Sequence, residues 1–136
     1  MKLHHIGKVV RDLDEAQTYY RDIFGLQALG PPVVDPIQQV EVVFIETGPP
    51  EFPTIELIKP LSASSPVSKF LEKGEGIHHL CFETEDIKQS IAELKAKGSL
   101  ILGKIVPGKG HGDKMTVWIY TPSKELVELV EKEKSL

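Results

Sequence analysis

Leu3-His4-His5-Ile6-Gly7-Lys8-Val9-Val10 and Ile77-His78-His79-Leu80-Cys81-Phe82-Glu83 are two versions of one stretch. Both read as strands, and His4-His5-Ile6 falls on His78-His79-Leu80 when residue 4 is laid against residue 78. The match continues outward. Asp12-Leu13 falls on Asp86-Ile87, each Asp suited to capping the helix that follows. Later, Ile55-Glu56-Leu57 matches Val127-Glu128-Leu129 at a spacing of 72 rather than 74. Three matches in the same order argue for an internal duplication, in which each half reads strand, helix, then three strands. A half of this size cannot bury a whole sheet face alone, so the pairing of two copies is the expected solution. The expected fold class is α+β, with paired βαβββ modules forming a curved mixed sheet around a central cleft.

The rest of the chain fills in this frame. Apolar residues at Ala16, Tyr19, Tyr20, Ile23 and Phe24 recur as one face of a helix that Gly25 stops. A short strand is expected to start over 26–29, with loops at Gly30-Pro31-Pro32 and Asp35-Pro36. Strands are expected over 39–46 and 54–59, the first with Val40, Val42 and Phe44 on one face and Glu41, Val43 and Ile45 on the other. Ser65-Pro66 reads as an N-cap and first position of a short helix through Val67, Phe70 and Leu71. In the second half, a helix through Ile87, Ile91 and Leu94 ends at Gly98. Strands follow over 100–105, 115–120 and 126–130, with a glycine-rich loop at 107–112. The chain thus reads as a single domain of two halves, about 3–61 and 77–131, joined by a linker at 62–75.

Composition narrows the function. The chain has 136 residues, 40% hydrophobic and 26% charged, with a net charge of −4. An acidic balance of this kind makes nucleic acid an unlikely partner. No apolar run approaches the ~20 residues of a membrane span, and no secretory signal is expected ahead of the first strand. Cys81 is the only cysteine, so no intrachain disulfide can form, which fits a cytoplasmic location. It reads as a small buried hydrophobe.

Strand alternation then carries the chemistry. The two histidines of each pair point to opposite faces, so one imidazole from each half can face a shared interior. Glu56 and Glu128 each lie between apolar residues in half-buried strands. A carboxylate turned inward is costly unless compensated, and one divalent cation would compensate both. Two imidazoles and two carboxylates form a mixed nitrogen and oxygen set. Such a set disfavours calcium and magnesium and leaves cobalt, manganese, nickel, zinc or iron. His111, in the glycine-rich loop and without a counterpart in the first half, reads as a solvated loop residue.

The two halves, His5-Ile6-Gly7, Tyr19-Tyr20, Phe24-Gly25 and Val127-Glu128-Leu129 resemble the vicinal oxygen chelate superfamily of glyoxalases, epimerases, extradiol dioxygenases and antibiotic-resistance proteins. Within it, Ile55-Glu56-Leu57-Ile58-Lys59-Pro60-Leu61-Ser62, Ser65-Pro66-Val67-Ser68-Lys69-Phe70-Leu71 and Gly74-Glu75-Gly76-Ile77-His78-His79-Leu80 resemble the methylmalonyl-CoA epimerases most. The resemblance implies that His5, Glu56, His79 and Glu128 bind one divalent transition metal per chain. It also implies that Glu128 transfers a proton at the α-carbon of an acyl-CoA thioester. Some of these epimerases carry a second catalytic Glu in the 39–44 strand. That position aligns with Val42 here, leaving Glu41 or a bound water as the second proton-transfer group. Where the family usually has His-Pro-Lys, this chain has Thr121-Pro122-Ser123. A homodimer is expected from the same resemblance. Two alternatives stand beside it: a glyoxalase-type lactoylglutathione lyase, and a non-enzymatic resistance-type protein that binds a small ligand.

Overall fold

The computed structural model describes residues 1–133. Two compact units make up the chain: residues 5–78, and residues 1–4 with 79–133. The elements run β1 (Lys2–Val9), α1 (Leu13–Phe24), β2 (Val33–Asp35), β3 (Val40–Ile45), β4 (Thr54–Pro60) and α2 (Ser68–Glu72). The series then resumes as β5 (Gly76–Thr84), α3 (Ile87–Ala96), β6 (Leu100–Gly108), β7 (Lys114–Tyr120) and β8 (Leu126–Glu131). This is the α+β class, built of two βαβββ modules.

Each module has the same strand pairing. In the first, the order is β2-β3-β4-β1; in the second it is β6-β7-β8-β5. The outer pairs are antiparallel, and β1 with β4, like β5 with β8, is parallel. The registers repeat as well. Gly7 stands opposite Glu56, and Cys81, 74 residues after Gly7, stands opposite Glu128. Phe44 stands opposite Glu56 on the other side, and Trp118, again 74 residues on, stands opposite Glu128. The duplication read from the sequence therefore extends to individual rungs of the ladders.

Both helices start as expected. Asp12 accepts from the Glu15 N–H at 2.9 Å and Asp86 from the Gln89 N–H at 3.0 Å. Gly25 closes α1 in the left-handed conformation, φ 68°, donating its N–H to Arg21 O. Beneath α1, Val10, Leu13, Tyr20, Val43, Ile45 and Leu57 form one buried cluster. The opposite face of β3 and β4 carries a second, with Val9, Val40, Val42, Ile58 and Val67. In the other module, Ile87, Val117, Ile119, Val127 and Leu129 pack under α3.

Several local expectations are corrected. The 26–29 strand is only an isolated bridge from Ala28 to Ile45, and the real β2 lies over Val33–Asp35, where a loop was expected. Pro32 precedes β2 and Pro36 follows it, so both prolines flank the strand and neither costs it a ladder donor. Helix α2 begins at Ser68, and Ser65 instead sits in the preceding turn, its hydroxyl donating to Gln38 O. On α1, Tyr19, Ile23 and Phe24 are exposed, because the buried row is Leu13, Ala16 and Tyr20. Tyr19 and Ile23 lie on one flank of that row, and Phe24 sits at the helix end. The 107–112 segment is strand as far as Gly108, then a single 3-10 turn over Lys109–His111.

Cap and core substitutions should separate cleanly in urea unfolding. Asp86→Ala is expected to cost about 1 kcal/mol. Leu129→Ala, at a fully buried position, is expected to cost about 2–5 kcal/mol. Equal losses would contradict the burial assigned to Leu129.

Candidate metal and proton-transfer site

Period-two alternation places His5, Gly7 and Val9 on one face of β1, and the parallel register brings Glu56 of β4 onto that same face. His5 is fully buried and Glu56 is 6% exposed, with His5 Nε2 3.4 Å from Glu56 Oε1. Phe44 completes the row across β3, its ring edge-on to His5 at 5.5 Å. Thr54, opposite His5 in the ladder, lies two residues before Glu56 on this face. Its Oγ1 is buried without a hydrogen-bond partner.

The second module repeats the arrangement. His79 is 4% and Glu128 6% exposed, with Nε2 3.8 Å from Oε1. Trp118 stands edge-on to His79 at 4.7 Å. A third imidazole joins here: His111 Nε2 lies 3.2 Å from the same Oε1, within hydrogen-bond distance. The reading of His111 as a solvated loop residue is overturned, since its side chain is only 6% exposed. Its signal was hidden because the 3-10 turn folds the loop back over β8. Phe44 and Trp118 were also missed, though their 74-residue spacing matches that of the histidine pairs.

All four residues expected as ligands are buried, each imidazole beside the carboxylate of its own module. Their donor set fits a divalent transition metal. Two donors about 2.1 Å from one ion stand about 3.0 Å apart at a right angle and about 3.4 Å apart at a tetrahedral angle. The His5–Glu56 separation of 3.4 Å falls within that span and the His79–Glu128 separation of 3.8 Å lies slightly beyond it. The Thr54 hydroxyl adds a buried polar atom that a hydrated ion or bound ligand could satisfy.

Glu41 is ruled out as the second proton-transfer group on this face. The β3–β4 register runs without a shift, pairing Phe44 with Glu56 and Glu41 with Lys59. Glu41 therefore shares the opposite face with Val43 and Ile45, toward the α1 cluster. On the Glu56 face the corresponding position is the buried, apolar Val42.

Comparison with known proteins places this geometry in a family. Residues 4–117 match the family described as the Glyoxalase/Bleomycin resistance protein/Dioxygenase superfamily. The chain belongs to that superfamily. It is 36% identical to the ethylmalonyl-CoA/methylmalonyl-CoA epimerase of Cereibacter sphaeroides, over 88% of this chain and 87% of the relative. It is 34% identical to the mitochondrial methylmalonyl-CoA epimerase of Bos taurus over 82% of this chain, but spans only 62% of that relative's length. Among solved structures, Streptomyces coelicolor methylmalonyl-CoA epimerase in complex with 2-nitronate-propionyl-CoA superposes with a TM-score of 0.83. The identity is 28%, covering 97% of this chain and 94% of that one. Among the described residues, no helix is long and apolar enough to cross a membrane.

Metal binding should be visible in stability. After chelator treatment, adding cobalt to 100 times its Kd is expected to raise the unfolding free energy by about 2.7 kcal/mol. Glu56→Ala should abolish most of that gain. A melting temperature indifferent to cobalt, nickel, manganese and zinc alike would contradict the fit of this donor set.

Proposed function

We propose that this chain is a divalent-metal-dependent isomerase that moves a proton at the α-carbon of an acyl-CoA thioester, with methylmalonyl-CoA as its substrate. The observation that carries the reading is the repeated buried imidazole–carboxylate pair, set by one ladder register in both modules. The epimerase relatives, and an acyl-CoA complex of one of them, support the choice of substrate. His5, Glu56, His79 and Glu128 would hold the ion. When bound, it would lend positive charge to the substrate's thioester and carboxylate oxygens, lowering the cost of the enolate.

The chain's own residues supply the rest. Glu128 removes the α-proton, whose acidity is raised by its position between a thioester and a carboxylate. Burial at 6% exposure keeps bulk water from competing for that carboxylate. Phe44 and Trp118, edge-on to the two histidines, limit ring rotation. A bound water molecule donates a proton to the other face of the planar intermediate, and the proton held by Glu128 is released to neutralise the hydroxide left behind; Glu41 lies on the wrong side of β3 and Val42 carries no proton. The same reading includes a homodimer in the cytoplasm.

Glu128→Gln is expected to slow exchange of the methylmalonyl-CoA α-proton with deuterated water by about 10²–10⁴-fold, followed by proton NMR. Exchange at the unmodified rate would remove Glu128 from the chemistry. Turnover of a methylglyoxal–glutathione hemithioacetal in place of methylmalonyl-CoA would favour the glyoxalase-type alternative.

A further inference from the structure

We infer that His111 is a positioning residue for Glu128: it grips one carboxylate oxygen and so fixes the plane in which that carboxylate meets the substrate's proton. The inference rests on Glu128 being the proton-transfer group. His111 Nε2 is 3.2 Å from Glu128 Oε1. As the proton acceptor of the reaction Glu128 must be ionised and can only accept, which requires the Nε2–H tautomer of His111.

The turn around His111 is shaped to hold the ring there. Gly112 and Asp113 both adopt positive φ, 63° and 64°, which sends the chain back toward β7. The Asp113 N–H donates to Gly108 O at 3.0 Å, and the Lys109 ammonium pairs with the Asp113 carboxylate at 2.9 Å. Gly108 matters most. A Cβ at that position would lie 2.8 Å from Thr116 Cγ2 and 3.0 Å from His111 Cδ2, so only glycine leaves room for the ring. The His4 ring stands edge-on to His111 at 5.7 Å and closes another side. Side-chain exposure of 6% follows from these contacts.

The first module has no matching residue. At the same 74-residue spacing, position 37 is an isoleucine, 62% exposed. The duplicated halves thus differ at this position. Glu56 has no counterpart of His111 in its own module, whereas Glu128 has one to orient it. Residues that orient a metal-site group in this way are typically worth about 10–100-fold in affinity or activity.

The test compares His111→Leu, His111→Gln and Gly108→Ala in the full chain loaded with cobalt. Three readouts are taken: cobalt per chain by elemental analysis, the visible cobalt spectrum without substrate, and α-proton exchange of methylmalonyl-CoA. His111→Leu is expected to retain one cobalt per chain, shift the visible bands and lose about 10–100-fold in kcat with KM unchanged. His111→Gln keeps an N–H donor and should recover most of both signals. Gly108→Ala alters neither imidazole nor carboxylate yet crowds the ring, and should change the spectrum and kcat in the same direction as His111→Leu. That variant keeps the test alive if His111→Leu folds poorly. Unaltered spectra and rates in His111→Leu, or in Gly108→Ala, would overturn the inference. Loss of the cobalt from His111→Leu would also overturn it, by making His111 a ligand. If the unmodified protein exchanges no α-proton, the epimerase reading fails, and the spectra alone still decide whether His111 orients Glu128.

Discussion

A carboxylate on the inward face of a sheet loses most of its hydration, and Glu56 and Glu128 both stand in that position at 6% exposure. Each would cost several kcal/mol if left alone. The fold answers by placing a histidine on the neighbouring parallel strand, two residues before the rung opposite each glutamate, with an aromatic ring on the strand at the other side. Gly7 and Cys81, the residues directly opposite the two glutamates, are small. A larger side chain at either rung would crowd the space between imidazole and carboxylate. Much of the architecture follows from this requirement: parallel central pairs, antiparallel outer pairs, and the two long helices α1 and α3 on the face away from the charged row.

The duplication was legible because its markers are rare residue types. Two His-His pairs and two apolar-Glu-apolar triplets survive in one chain, and the helix caps at Asp12 and Asp86 repeat beside them. Strand alternation then gave the two faces of β3 correctly, with Val40 and Val42 against one cluster and Val43 and Ile45 against the other. What stayed hidden depended on contacts between segments distant in sequence. β2 has only three residues and sits between prolines that read as loop; its pairing with β3 is what makes it a strand. His111 was illegible for a related reason. Glycines on both sides of it look like flexibility, whereas here Gly108 provides space for a ring and Gly112 a left-handed bend.

Duplication also explains how a small chain can build a site that needs different jobs from similar residues. Two copies of a strand–helix–strand unit deliver two equivalent pairs of donors at no cost in new topology. Later substitutions can then act on one copy alone. The Glu56 face carries the apolar Val42, and the turn ending in His111 brings an imidazole within 3.2 Å of Glu128.

Crystallography of the cobalt-loaded protein, with anomalous scattering measured at the cobalt edge, addresses the central claim most directly. One anomalous peak per chain is expected, with nitrogen and oxygen ligands at about 2.0–2.2 Å supplied by His5, Glu56, His79 and Glu128. Separate peaks at the two imidazole–carboxylate pairs, or no peak beside either pair, would contradict a single ion held in common.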